Sequence, residues 1–138
     1  MSFRTTAAQA TPVSYELEWG VVRGLCWGDP NNVTVIATHG WLDNCHSFLP
    51  LAEHWNSDHG GLIALDWAGH GHSDHRPPGT HYHFIDYAYD LWQILTHHIN
   101  SPVTLLGHSM GGFVSNVVAS ICPEKVDKLL LVEAFGLL

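Results

Sequence analysis

Basic residues are scarce in this chain. Its 138 residues include five Lys and Arg against thirteen Asp and Glu, which gives a formal net charge of −8 at pH 7. Nucleic acids and anionic membranes attract basic surfaces, so this charge argues against both as partners. No apolar run reaches the roughly 18 residues that a membrane span requires. Residues 1–11 also lack the apolar stretch of a secretory leader. We therefore expect neither a membrane partner nor a leader.

Cysteine is scarce as well. Cys26, Cys45 and Cys122 are odd in number and form no C-x-x-C pair. Such a set is typical of free thiols in a reducing compartment, which predicts a cytoplasmic location. Hydrophobic residues make up 46% of the chain, and this content is ample for the core of a globular domain.

Apolar strands alternate with helical segments along the chain. The predicted strands cover residues 13–19, 21–27, 33–38, 61–65, 103–106 and the segment from 128 onward. The predicted helices cover residues 47–55, 84–99 and 112–121. The first two strands form a hairpin at Gly20, and the later alternation predicts an α/β fold with a mostly parallel, doubly wound sheet. Residues 1–12 are predicted to form a loose N-terminal arm.

The last eleven residues are mostly apolar. Residues 128–138 have the pattern of a buried parallel strand and the start of its loop. Such a strand needs a neighbouring strand and covering helices. We therefore expect a sheet that is incomplete at the C-terminus and a chain that is a fragment.

One short motif stands out against this background. Gly107-His108-Ser109-Met110-Gly111 follows a predicted strand and precedes a predicted helix. A G-x-S-x-G sequence in that context is typical of a sharp turn that raises one serine above the sheet edge. At a helix N-terminus the N–H groups favour negative charge, which suits a serine nucleophile in acyl transfer. The motif predicts Ser109 as the nucleophile.

A second motif, His39-Gly40-Trp41, follows the strand at 33–38. An oxyanion needs two convergent N–H donors, and the backbone N–H groups of Trp41 and Met110 are predicted to supply them. Gly40 allows the backbone to approach closely and, with His108, is predicted to line the substrate site.

A third glycine-rich motif, residues 66–73, follows the strand at 61–65. Its Asp66 is predicted to bond local backbone N–H groups.

Together these motifs resemble the α/β-hydrolase fold superfamily. The stretch from His39 to Asn44, HGWLDN, resembles the serine hydrolase-like family more specifically. The resemblance implies that residues 13–138 are the N-terminal portion of an α/β-hydrolase domain. It also implies hydrolysis of a carboxylic ester or related acyl bond of a small molecule, with no cofactor and no metal. The oligomeric state stays open.

The usual chain order in this superfamily is Ser, then Asp or Glu, then His. All twelve histidines precede Ser109, so the resemblance places the catalytic His beyond Leu138 and predicts that the chain alone is inactive. Some relatives, such as haloalkane dehalogenases, place their acid at the end of the strand that follows the nucleophile, where this chain has Glu133. Glu133 is thus a candidate acid, or else a loop-capping carboxylate with the true acid beyond Leu138.

Three other interpretations remain open. The chain could be a truncated, non-catalytic hydrolase-like protein, or a haloperoxidase- or C–C-hydrolase-like member of the same fold. Alternatively, the histidines of one loop could bind zinc or nickel, although their spacing lacks the i, i+4 pairs of helix-borne metal sites. These histidines are His70, His72, His75, His81 and His83.

Overall fold

A computed structural model describes residues 9–134 of the chain. Its strands form one six-stranded sheet in the order β1-β2-β4-β3-β5-β6. The β1-β2 and β2-β4 pairs are antiparallel, and the other pairs are parallel. The strands are β1 (Thr11–Leu17), β2 (Gly20–Trp27), β3 (Val33–Thr38), β4 (Gly61–Leu65), β5 (Val103–His108) and β6 (Val126–Val132). The predicted α/β fold with its N-terminal hairpin is confirmed.

Three α-helices and several short 3-10 turns connect the later strands. The helices are α1 (Leu49–Ala52), α2 (Phe84–His97) and α3 (Met110–Ile121). The 3-10 turns include Cys45–Phe48, Ser57–His59 and Pro123–Lys125. Within residues 9–134, no helix is long and apolar enough to cross a membrane.

The sheet is covered on both faces, as a doubly wound fold requires. Helices α2 and α3 pack on one face, with Ile36, Ile63 and Leu105 of the central strands. The short α1 segment packs on the other face, with Ala37 and Leu62. Adjacent residues of one strand therefore enter different cores, because successive side chains of a strand point to opposite faces.

The observed boundaries correct several predictions. The predicted arm 1–12 overlaps β1, because Thr11 and Pro12 pair with Cys26 and Leu25. Residues 1–8 of the arm lie outside the described residues. Strand β6 begins at Val126, two residues earlier than predicted.

The predicted helix 47–55 was too long, because only Leu49–Ala52 within it is α-helical. The segment is a 3-10 turn capped by Asn44, followed by the single turn α1. A second cap follows at Asn56, whose side chain accepts the Asp58 N–H at 2.9 Å and starts another 3-10 turn. Pro50 at the start of α1 has no N–H to donate to the preceding 3-10 turn. After Ala52 the N–H groups of His54 and Trp55 donate to the carbonyls of Leu51 and Ala52, three residues back, so the α-helical pattern does not continue.

A buried ion pair anchors the long loop between β4 and α2. Asp90 is 1% exposed. Its carboxylate accepts hydrogen bonds from Arg76 Nη2 at 2.7 Å and from the Trp19 indole N–H at 2.9 Å. This contact joins the hairpin, the loop and α2.

Candidate active site

Three strained residues lie in the loops after β3, β5 and β6. Within residues 9–134, the non-glycine residues with positive φ are Leu42 (60°), Ser109 (53°) and Glu133 (48°). The parallel strands β3, β5 and β6 end at one edge of the sheet. Strained backbone in folded proteins concentrates at functional sites. The strained residues therefore indicate a functional site at this edge of the sheet, where the glycine-rich sequence motifs also lie.

Ser109 forms a sharp turn between β5 and α3. Its φ is 53° and its ψ is −118°, and it is the N-cap of α3. The Ser109 N–H donates to the carbonyl of Val132 at 3.0 Å. A Cβ atom at Gly107 would lie 2.4 Å from Gly112 Cα, and one at Gly111 would lie 2.3 Å from the Thr38 carbonyl oxygen. The glycines of the motif thus allow α3 to start directly against the neighbouring strands.

The loop after β3 lies against Ser109. A Cβ atom at Gly40 would lie 3.3 Å from Ser109 Cβ and 3.7 Å from Ser109 Oγ. Among the hydrogen bonds of the described residues, none is donated by the backbone N–H of Trp41 or Met110. The structure therefore brings Gly40 and Ser109 together, with Trp41 and Met110 adjacent to them in the chain.

His39 fixes the loop after β3 through hydrogen bonds of its buried ring. It is fully buried, and its Nδ1 is 2.7 Å from the Gly40 carbonyl oxygen, to which it must donate. Its Nε2 accepts the Trp67 N–H at 3.1 Å, and the Trp67 indole donates to the His39 carbonyl at 2.9 Å. Burial lowers the pKa of His39, although the bond to Gly40 opposes the shift. The neutral ring is therefore an orienting group with both nitrogens engaged.

His70, in the loop after β4, is also buried and also uses both ring nitrogens in hydrogen bonds. Its Nδ1 lies 2.9 Å from the Ala68 carbonyl oxygen, and its Nε2 accepts the Leu42 N–H at 3.1 Å. The ring is 8% exposed and lies 5.2 Å from the ring of His39, centroid to centroid. The sequence had placed His70 among the candidate metal ligands. In the structure both of its nitrogens are bonded to the protein.

The described residues contain no group of three or more His, Cys, Asp or Glu side chains placed to hold a metal ion. His81 and His83 do lie near each other, with ring centroids 5.7 Å apart.

Asp66 ties two loops together, as the sequence predicted in part. Its buried carboxylate accepts the Cys45 N–H at 2.7 Å and the His72 N–H at 3.0 Å. A Cβ atom at Gly71 would lie 2.2 Å from Asp66 Cγ, so the loop can wrap around the carboxylate only with glycine there. The bond to Cys45 was not foreseen, since it joins residues 21 positions apart.

Sequence reasoning missed Asp43. Its carboxylate accepts the Asn44 N–H at 2.9 Å and the Ser47 hydroxyl at 2.5 Å. Burial raises the pKa of Asp43, but these hydrogen bonds outweigh that effect and the pKa is lowered overall, with contributions from His39 and His108. The D-N-x-x-S spacing was the available signal. Asp43 places a negative charge within electrostatic reach of His108, the chain neighbour of Ser109.

The two remaining predicted residues lie at the same edge. His108 is partly buried, and its Nδ1 lies 3.7 Å from the Cβ position of Gly40. Glu133 is exposed and follows Val132, whose carbonyl bonds Ser109. Within residues 9–134, no hydrogen bond joins Ser109 Oγ to a histidine ring. The role of Glu133 stays a prediction.

Comparisons with known proteins agree with this geometry. The model of the alpha/beta hydrolase fold family matches residues 33–137. A serine hydrolase-like protein of Danio rerio is 33% identical over 99% of this chain and 42% of its own length. The resemblance predicted from HGWLDN and the serine motif is thereby confirmed.

Solved structures give the same result. A hypothetical protein of Pseudomonas aeruginosa PAO1 matches with a TM-score of 0.79 and 37% identity, covering 92% of this chain and 44% of that one. A thioesterase domain from the curacin biosynthetic pathway matches with a TM-score of 0.78 and 28% identity, covering 91% and 46%. The chain thus spans less than half the length of each of these proteins.

Proposed function

Since the chain belongs to the alpha/beta hydrolase fold family, we propose that it supplies the nucleophile and the oxyanion hole of a serine hydrolase. The proposed reaction is hydrolysis of a carboxylic ester or a related acyl bond. The observation that carries the proposal is the conformation of Ser109. A strained serine stands at the N-terminus of α3 with Gly40 packed against its side chain. Strain of this kind persists where function requires it.

In the proposed mechanism, Ser109 Oγ attacks the carbonyl carbon of the acyl group. The backbone N–H groups of Trp41 and Met110 donate to the oxygen on which negative charge develops. A histidine outside the described residues takes the Ser109 proton and passes it to the leaving group, and water then releases the acyl group from Ser109. Glu133 is a candidate for the acid that orients this histidine, and its position at the end of β6 supports that role.

Apolar side chains around Ser109 support a fairly apolar acyl group as substrate. Trp41 is 52% exposed, and Phe84, also exposed, packs against Phe113 with ring centroids 5.6 Å apart. The Phe113 N–H donates to the Ser109 carbonyl, so this aromatic pair lies one turn of α3 from the nucleophile. Because the chain is similar to a thioesterase domain, the bond that we propose it hydrolyses includes thioesters as well as esters.

The test uses the intact protein that contains this chain. We expect it to hydrolyse p-nitrophenyl butyrate and to react with a fluorophosphonate probe, and we expect Ser109→Ala to abolish both. Ser120→Ala is the matched control, because Ser120 is exposed on the same helix and its hydroxyl donates to the Asn116 carbonyl within that helix. Hydrolysis or labelling by Ser109→Ala at the rate of the Ser120→Ala control would contradict the proposal and favour a non-catalytic or differently reacting protein.

A second experiment tests where the base lies. No histidine follows Ser109 in the sequence, and His39 has both ring nitrogens bonded. We therefore expect the isolated 138-residue chain to hydrolyse the ester no faster than its Ser109→Ala variant. A large rate that depends on Ser109 would show that a base inside the chain suffices, with His108 as the first residue to test.

A further inference from the structure

The proposed mechanism leaves two features of the oxyanion loop without a role. Leu42, directly after Trp41, has φ 60° although its side chain is 79% exposed. Packing of that side chain therefore does not hold the strained conformation. The Leu42 N–H instead donates to a buried ring nitrogen of His70, at 3.1 Å and 28 positions away in the chain.

We propose that His70 is a positioning residue for the oxyanion hole. Its neutral Nε2 accepts the Leu42 N–H, holds Leu42 in the left-handed region and thereby aims the preceding N–H, that of Trp41, towards Ser109. This inference rests on the proposed function, because it assigns the Trp41 N–H to the oxyanion. It assigns no contact between His70 and the substrate.

The hydrogen bonds fix the tautomer of His70. The Ala68 carbonyl can only accept, so Nδ1 carries the proton. Nε2 is then left with a lone pair, which the Leu42 N–H requires. A protonated ring would place an N–H on Nε2, facing the N–H of Leu42, and neither could accept from the other. Protonation of this ring would therefore release the loop.

The surroundings of His70 make this contact a rigid one. Its ring lies 5.2 Å from the ring of His39, 5.4 Å from Trp41 and 6.2 Å from Tyr87 of α2, measured between centroids. The titratable groups around it are His39 on the β3 side, Tyr87 on α2 and Asp66 on its own loop. Asp66 bonds the N–H of His72, two residues from His70. The N–H of Leu42 donates to the His70 ring and not to any of these three neighbours.

Three substitutions separate positioning from packing in the intact protein. His70→Phe keeps the aromatic contacts and removes the acceptor. His70→Gln keeps an acceptor oxygen within reach of Leu42 but cannot gain a proton near neutral pH. His75→Gln is the matched control, since His75 is exposed on the same loop. Each variant is measured for kcat and KM with p-nitrophenyl butyrate at pH 7.5.

We expect His70→Phe to lower kcat roughly ten- to a hundredfold at pH 7.5, because a displaced oxyanion donor weakens binding of the transition state more than of the substrate. KM should change less than about twofold. His70→Gln should recover most of that kcat. Recovery of kcat by His70→Gln but not by His70→Phe separates loss of the acceptor from loss of ring packing. His75→Gln should follow the wild type throughout.

The outcomes keep the two proposals apart. If Ser109→Ala is inactive while His70→Phe retains kcat within twofold of the wild type, the positioning role is wrong and the serine mechanism stands. If Ser109→Ala is fully active, the serine mechanism fails. The ring contact is then tested separately by ¹⁵N NMR of the imidazole, where a proton on Nε2 at pH 7.5 would overturn the proposed tautomer.

Discussion

Two turns at the carboxyl edge of the sheet hold strained residues by different means. The turn at Ser109 is held by glycines and by backbone contacts to Thr38 and Val132. The loop at Leu42 is held by the side chains of two buried histidines, one of them 28 positions away. The glycine pattern that permits the first turn therefore lies within a few consecutive residues, although its contacts come from other strands. The second depends on the folded sheet bringing two loops together.

The largest effect is expected where the first turn meets the sheet. Gly111→Val would place a Cβ atom 2.3 Å from the Thr38 carbonyl oxygen and 2.7 Å from that of His39, and both are backbone atoms. We expect the free energy of unfolding to fall by about 3 kcal/mol or more, since α3 must move off β3. Urea unfolding of the intact protein measures the change.

Gly40→Ala is the control for that substitution. Its Cβ atom would meet the side chain of Ser109 at 3.3 Å rather than backbone. We expect a loss of stability below about 1 kcal/mol together with reduced esterase activity. An equal loss of stability in the two variants would mean that the two turns are equally rigid.

The second loop should respond to loss of a histidine. His39→Phe leaves the Gly40 carbonyl and the Trp67 N–H without their partner. Two buried polar groups without hydrogen bonds should lower the free energy of unfolding by about 2 kcal/mol. His39→Gln can satisfy at least one of these groups and should lose less. Equal losses in the two variants would show that ring packing matters and the hydrogen bonds do not.

The lowered pKa of His39 predicts how the free energy of unfolding depends on pH. Burial lowers its pKa in the folded chain, so below about pH 6.5 the unfolded chain binds a proton that the folded chain does not. This contribution to the free energy of unfolding is fully present above that pH and is lost as the pH falls. In urea unfolding at pH 7.5 and 5.5, His39→Gln should show a smaller decrease than the wild type. The exposed His54→Gln serves as control, and a wild-type decrease in His39→Gln would contradict the assignment.

The sequence predicted the centre of the fold better than its margins. Strands β3 and β4 were predicted residue for residue, because both are apolar runs buried inside the sheet. The starts of β1 and β6 shifted by two residues, since at the sheet margins the pairing partner decides where a strand begins. The α1 segment kept its apolar spacing and still failed as a longer helix, because Pro50 interrupts the hydrogen bonds at its start and 3-10 bonds replace the α-helical ones after Ala52.

The candidate site divides in the same way. Ser109, Gly40 and the turn at Asp66 could be predicted, because glycines at fixed spacing are a local signal. The role of His70 could not be predicted, because a histidine in a glycine-rich loop has the same pattern whether it is buried or exposed. Its burial and its bond to Leu42 exist only once β3 and β4 are neighbours.

A smaller effect is expected from relieving the backbone strain at Ser109. The backbone of Ser109, with φ 53° and ψ −118°, suits glycine far better than any L residue. We expect Ser109→Gly to be more stable than Ser109→Ala by about 1–2 kcal/mol, although both lack the nucleophile. Thermal or urea unfolding of the two inactive variants measures the difference. If Ser109→Ala were the more stable of the two, strain at the nucleophile would be absent.

The smallest effect is expected at Leu42. Its φ of 60° also favours glycine, but its exposed side chain loses little on truncation. Left-handed backbone costs an L residue about 1–2 kcal/mol, and the flexibility of glycine in the unfolded chain cancels about 0.5–1 kcal/mol of that gain. Leu42→Gly should therefore be more stable than Leu42→Ala by less than about 1 kcal/mol. If the hydrogen bond to His70 sets this conformation, combining each variant with His70→Phe should change the difference, because the loop is then free to leave the left-handed region. An unchanged difference would mean that the backbone of the loop alone holds Leu42, and the two turns would then be held by the same means.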